Sequence, residues 1–291
     1  MSSPLDFLPT RAAALARLEE FLPDAGHYAA DRNFVRPGHP NISRLSPWVQ
    51  KRLLLEEEVI AAARERWSFE SVEKFVQEVY WRTYWKGWLE QRPEAWSRWV
   101  EAVPRLRDAL SAEQRSTLEA ALAGRTGIAG FDDWAHELVA TGYLHNHARM
   151  WFASIWIFTL RLPWELGAAF FYEHLLDGDV ASNTLSWRWV AGLQTPGKTY
   201  VARADNIAHY TDGVHAPEAG RLASAPFAIK EDPLPKVAAW TEDAAQVATL
   251  KTYERLGLWV HPEDLAVEQG ELAGLKIQGV NASWLTGISA R

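Results

Sequence analysis

Thr141–Thr195 reads TGYLHNHARMWFASIWIFTLRLPWELGAAFFYEHLLDGDVASNTLSWRWVAGLQT. Six polar residues, Asn146, Arg149, Asp177, Asp179, Asn183 and Arg188, stand in segments apolar enough to demand burial, and a buried charge requires a partner or a ligand. Helical spacing puts Asn146 and Arg149 (i, i+3) on one face and Asn183 and Trp187 (i, i+4) on another. Two converging helices of this kind present an amide, a guanidinium, two carboxylates and a flat aromatic to one point. The polar set therefore reads as a site.

Working outward toward the N-terminus, RAAALARLEEFL is a first helix, with Ala13, Leu15, Leu18 and Leu22 on a helical period. Pro23 to Pro47 is turn-rich. It ends in SRLSP, where Ser43 and Ser46 precede an apolar-periodic run that begins at Trp48. Hydroxyls at a helix start serve either capping or a phosphate. Helical patterns then cover 48–66 and 69–91. In the second, Glu78, Trp81 and Arg82 fall at i, i+3 and i+4, with Phe75 a turn before and Trp85 a turn after. An acid, an indole and a guanidinium on one strip are either an i,i+4 ion pair, Glu78 to Arg82, or a face against which something polar packs.

Pro93 and Pro104 break the pattern beyond it, RLRDALSAEQRSTLEAALAG reads as one charged, exposed helix, and another helix spans 132–140. Pro163 ends one helix and Trp164 opens the next. After Gly192 the chain is rich in Pro, Gly and Ala with little periodicity. From Lys236 one more helix, KVAAWTEDAAQVATLKTYERLG, leads to the tail. No internal repeat and no strand–helix alternation is visible, and alternating β-branched runs are nearly absent. The expected fold class is all-α.

Sixteen Trp in 291 residues make either a Trp-rich core or aromatic surface for a flat ligand or redox work. The net charge of −7 exerts no global pull on nucleic acid, so DNA binding requires a local basic patch. Without cysteine there is no disulfide and no cysteine-ligated cluster. MSSPLDFLPTR lacks the pattern of a signal peptide, and Met150 to Leu160 is too short to span a bilayer. A soluble, cytoplasmic monomer that avoids membranes is expected.

The order N-x-x-R-M (Asn146, Arg149, Met150), Trp164 before a Glu, and DGD-x-x-x-N-x-x-x-W-x-W (Asp177, Gly178, Asp179, Asn183, Trp187, Trp189) resembles the FAD-binding helical domain of the photolyase/cryptochrome family. The E-V-Y-W-R-T-Y-W segment resembles the family's E-x-x-W-R-E-F-Y helix, with Thr83 in place of its second Glu. S-R-L-S resembles the family's pyrophosphate-holding S-x-L-S segment. GRTGIAGFDDW, and Lys198, Tyr200, Arg203, Asn206 and Ile207, match the family more loosely. The resemblance covers residues 28–210.

It implies FAD as cofactor, UV-damaged DNA as partner, and light-driven repair of cyclobutane pyrimidine dimers by an electron from reduced FAD. Alternatives are a cryptochrome-like blue-light receptor without repair, (6-4) photoproduct repair, or a helical flavoprotein without photochemistry. FAD contacts implied are Tyr28, Ser43, Leu45, Ser46, Phe75, Glu78, Arg82, Asn146, Arg149, Asp177, Asp179 and Asn183. Arg149 and Asp177 would pair beside the flavin ring. Asp179 would bond the flavin or its ribityl chain, and Asn183 would sit at flavin N5. Trp187 would be the nearest electron donor and Trp164 the next. Ser111 falls near the third place, for which Trp96, Trp99, Trp151 or Trp156 could substitute if not simply core. Trp81 and Trp189 would wedge a flipped-out dinucleotide while Glu78 bonds its bases. Met150 stands where dimer-repairing members carry Met and (6-4) enzymes His. Arg32, Arg36, Arg44, Lys51, Arg52 and Arg188 are candidate phosphate contacts.

Because only 27 residues precede Tyr28, the expected protein lacks the family's N-terminal antenna domain and its second chromophore. The expected division is a helical FAD-binding domain over 1–235 and a helical extension over 236–291 packed on it.

Overall fold

A computed structural model of the protein describes residues 7–195, 197–218, 220–235, 237, 256–260, 264–265 and 277–282. Helix α1, Arg11–Phe21, starts where Thr10 Oγ1 accepts from the Ala13 amide, and it runs into a 3₁₀ turn over Leu22–His27. α2 is the single turn Tyr28–Asp31. The run expected as one helix over 48–66 is two, α3 (Ser46–Gln50) and α4 (Glu56–Arg66). Arg52 between them has φ +52°, a left-handed conformation that no right-handed helix can carry through.

Helix α5, Phe69–Glu90, starts at Ser68 and matches the expectation to within a residue. α6, Glu94–Ala109, runs through Pro104 rather than breaking there. Burial of Ala95, Trp99 and Ala102 on one face outweighs the single missing backbone donor. The charged segment after it is not one helix. Ser111 and Gln114 form a reciprocal capping box that starts α7, Ala112–Leu122. α8, Phe131–Thr141, closes on Gly142 in the left-handed conformation favoured at helix ends.

α9, Asn146–Ser154, passes into a π turn over Ile155–Thr159. α10 is Trp164–His174, and α11 is Val180–Val190, capped by Asp179 Oδ1 accepting from the Ser182 amide at 2.9 Å. α12, Ala204–Tyr210, lies in the stretch read as aperiodic, because seven residues show too little of a period.

The domain is helical as expected, but the tail is corrected. Two short strands, β1 (Leu256–Val260) and β2 (Ile277–Ala282), pair in parallel within the segment expected to be a helical extension. Most of the helix expected from Lys236 lies outside the described residues, and its last two, Leu256 and Gly257, are strand. The tail touches the body where the Leu265 amide donates to the Lys51 carbonyl and Arg52 pairs with Asp264.

Two apolar cores form among the described residues. One joins α8 to α11 around Phe131, Trp151, Phe152, Trp156, Phe171 and Trp187, and the other joins α1 to α3–α5 around Phe21, Leu54, Val72 and Phe75. Helix α11 packs on α5, α9 and α10 and so bridges the two. Its approach to α10 depends on Gly167, since a Cβ there would lie 2.3 Å from the Trp187 ring. Among the described residues no helix is long and apolar enough to cross a membrane.

Candidate functional site

A cavity of about 690 Å³ lies on the seam between the two cores, walled by α5, α9, α11 and the 42–46 loop. That is within the range of ~300–1,000 Å³ typical of small-molecule sites. Its wall contains Tyr28, Ser43, Leu45, Ser46, Phe75, Glu78, Trp81, Arg82, Asn146, Arg149, Met150, Asp177, Asp179, Asn183, Trp187 and Trp189. Trp164 is not on the wall. It is buried, with the Arg188 guanidinium carbon 5.9 Å from its ring centre.

On the inner wall, Arg149 donates through both terminal nitrogens to Asp177 Oδ2, each at 3.2 Å, and through Nε to the Leu144 carbonyl at 2.8 Å. The Asn183 amide nitrogen donates to the Ala168 carbonyl at 2.8 Å. A backbone carbonyl only accepts, so the Asn183 orientation is fixed and its Oδ1 is left as an acceptor. Trp187 is held edge-on by Phe171 at 5.1 Å and Trp156 at 6.1 Å between ring centres. Its Nε1 is buried without a partner among the described residues, as are Arg44 Nε, His145 Nε2 and Gln194 Oε1 of the same wall.

The ion pairs are not those that short-range spacing offered. Glu78 bonds Arg32, not Arg82. Arg82 bonds Gln50, Glu56 and Asp179, tying α3, α4 and α5 to the start of α11. Glu56 and Gln50 had no signal in the sequence, being 26 and 32 residues from their partner. Asp179 has one oxygen on the helix cap and the other on Arg82. Asn146 is exposed on the cavity rim rather than buried. Ser43 and Ser46 do not cap α3, whose N-cap is Leu45 with no side-chain bond. The capping alternative is thus set aside, and both Ser residues line the cavity with Arg44.

At the mouth, Trp81 is 48% exposed and stacks on Trp85 at 5.6 Å. Tyr84, Trp85 and Trp88 extend this aromatic edge, and Trp189 stands on α11. Of this edge, Trp81 and Trp85 are the members that stand out from the sequence; the sign for Trp88 is an aromatic at i+7 from Trp81. Burial raises Tyr28, and it pushes Tyr143 up to about 12. Burial also lowers His145 well below, and His147 below, the usual imidazole value.

The candidate phosphate contacts are mostly occupied. Arg188 is buried and doubly bonded to Glu231, at 2.6 and 2.7 Å, which removes it from that role. Arg36 pairs with Asp31 and Asp212, and Arg52 with Asp264. Ser111 is exposed and caps α7.

Residues 75–213 match the family model described as the FAD binding domain of DNA photolyase. A deoxyribodipyrimidine photo-lyase of Streptomyces griseus is 34% identical over 180 residues, which are 57% of this chain and 38% of that protein. The structure of a bacterial class III photolyase from Agrobacterium tumefaciens, 27% identical, overlays 69% of this chain and 42% of its own with a TM-score of 0.59. A Synechocystis cryptochrome, 24% identical, shares the fold over 72% of this chain and 44% of its own at a TM-score of 0.63. The chain spans about two fifths of the length of each. The helical domain whose α5, α9 and α11 wall the cavity is thus similar, in sequence and in fold, to the FAD-binding domain of the photolyase/cryptochrome family.

Proposed function

We propose that this chain uses light to repair cyclobutane pyrimidine dimers in DNA, with FAD in the seam cavity. The observation that carries the reading is that one cavity joins a polar inner wall to an aromatic mouth: Arg149, Asp177, Asn183 and Trp187 inside, Glu78, Trp81 and Trp189 outside. When bound and reduced, FAD supplies an excited-state electron donor. The wall suits it: uncapped hydroxyls beside a cation, a flat buried indole, and four wall residues whose buried polar atoms are unpaired.

Ser43, Arg44 and Ser46 would hold the diphosphate. Arg149, its charge shared with Asp177, would favour an anionic ring. Asn183 Oδ1 would accept from a ring N–H present only after reduction, so the fixed amide would favour the reduced cofactor. Trp187 would return electrons inward. At the mouth, Trp81 and Trp189 would stack on the flipped-out bases, Glu78 would accept from their N–H groups, and Met150 would line the lesion pocket. Excluding water from the inner wall strengthens each of these interactions.

Purified reduced protein, illuminated with a dimer-containing oligonucleotide, is expected to restore the absorbance of the pyrimidines. Full FAD loading with no recovery would overturn repair. The pairing of Arg36, Arg52 and Arg188 with acids favours a second reading, a blue-light receptor without repair. That reading instead expects light-dependent protease sensitivity with no loss of dimers.

A further inference from the structure

Behind Trp189 lies a pair of side chains with no part in the roles given so far. Tyr200 stacks on Trp189, ring centres 5.9 Å apart and planes 29° apart. Its hydroxyl is 3.4 Å from His147 Nε2. His147 Nδ1 lies 2.8 Å from the Asn33 carbonyl. A carbonyl only accepts, so Nδ1 carries the proton and Nε2 turns a lone pair to the phenol. The phenol is then the donor. Burial lowers the imidazole pKa, with Arg32 adding to it and the Asn33 and Asn206 contacts opposing it, which favours the neutral ring. The Trp151 ring lies 4.0 Å from the imidazole and the Tyr210 ring 5.0 Å from it, centre to centre. A phenol joined to a neutral, tautomer-locked base is set up to lose an electron and its proton together, and the stacked indole links it to the cavity.

We propose that Tyr200, with His147 as its base, is an electron donor that serves the cavity through Trp189, separate from Trp187. Trp189 gives one electron to the photo-excited oxidised flavin. Tyr200 then gives one electron to the Trp189 cation. The phenolic O–H bond breaks as this happens, and an N–H bond forms at His147 Nε2. Tyr200 is oxidised by one electron, the flavin is reduced by one, Trp189 is restored, and the proton stays on His147. This inference rests on the flavin-photochemistry reading above.

The test uses the full chain loaded with oxidised FAD and illuminated without external reductant, read by time-resolved electron paramagnetic resonance in H₂O and D₂O. The native protein is expected to show a tyrosyl radical that forms more slowly in D₂O. Tyr200→Phe keeps the ring stack and the flavin absorbance, and it is expected to lose that radical while tryptophan radicals remain. His147→Gln retains hydrogen bonding but cannot take the proton, and the tyrosyl yield is expected to fall at least about tenfold. A tyrosyl signal undiminished in Tyr200→Phe, or only tryptophan radicals in the native protein, overturns this inference and leaves the functional reading standing. A chain that takes up no FAD overturns both.

Discussion

Asn183 has a use for both ends of its amide, and this makes it a sensitive reporter of the inner wall. Its nitrogen donates to the Ala168 carbonyl from a position only 7% exposed. Asn183→Asp replaces that donor with an oxygen that faces another oxygen. The change is expected to cost about 1–3 kcal/mol. The cost grows as pH rises above about 3.9, because the charged form is the one that clashes. Denaturant midpoints at neutral and acid pH check both the size and the trend. At this scale the sequence was informative about which polar residues gather on one wall, Arg149, Asp177, Asp179 and Asn183, though Asn146 is exposed at the rim and Arg188 is paired with Glu231. It was silent about partners. Arg82 to Asp179 spans 97 positions and Arg188 to Glu231 spans 43, and nothing in local spacing encodes such pairs.

The meeting of α10 and α11 is set by a missing side chain. Gly167→Ala would put a Cβ at 2.3 Å from Trp187 and 3.0 Å from Trp156, so one helix or the indole must move. Overpacking of this kind costs about 1–3 kcal/mol. The expected outcome is a lower melting temperature together with altered Trp fluorescence, and a variant indistinguishable from the native protein would refute the close approach. On α5 the exposed Trp81 predicts a different effect. Trp81→Ala should leave stability nearly unchanged yet weaken binding of dimer-containing DNA roughly 5- to 150-fold, the worth of about 1–3 kcal/mol of base stacking; equal affinity in a titration would remove Trp81 from the lesion pocket. α5 was legible almost to the residue because 22 residues repeat their pattern several times. The α3–α4 break was hidden because it turns on the backbone of Arg52, which side-chain periodicity does not reveal.

Across the whole molecule, acid is expected to be the weak side. His145 and His147 are both kept from protonation chiefly by burial. Above about pH 6.5 each is neutral whether the chain is folded or not, so neither affects stability. Below it the unfolded chain takes up protons that the folded chain refuses, and stability falls by up to about 1.4 kcal/mol per pH unit for each histidine. Melting temperatures between about pH 8 and pH 5 should show this decline. His145→Asn should flatten it, because Asn can still accept from the His147 amide as His145 Nδ1 does at 3.0 Å. An unchanged slope would refute the assignment. The helical class was readable from periodicity, whereas the division into two cores with the cavity between them depends on long-range packing. The parallel strands of the tail escaped notice because LGLWV and IQGVNA do not alternate as half-buried strands do.

The wide turn at Ile155–Thr159 gives this part of the protein slack in chain length. One extra residue is held there, with the Trp156 indole donating to the Pro163 carbonyl at 2.9 Å as the backbone leaves the turn. Because the turn takes up that residue locally, removing one position from it lets the backbone close to an ordinary helical turn with the flanking side chains still in phase. The same removal inside α10, which has no such slack, would swing every following side chain by about 100° around the axis. A one-codon deletion in the wide turn that spares Trp156 should therefore be better tolerated than one in α10.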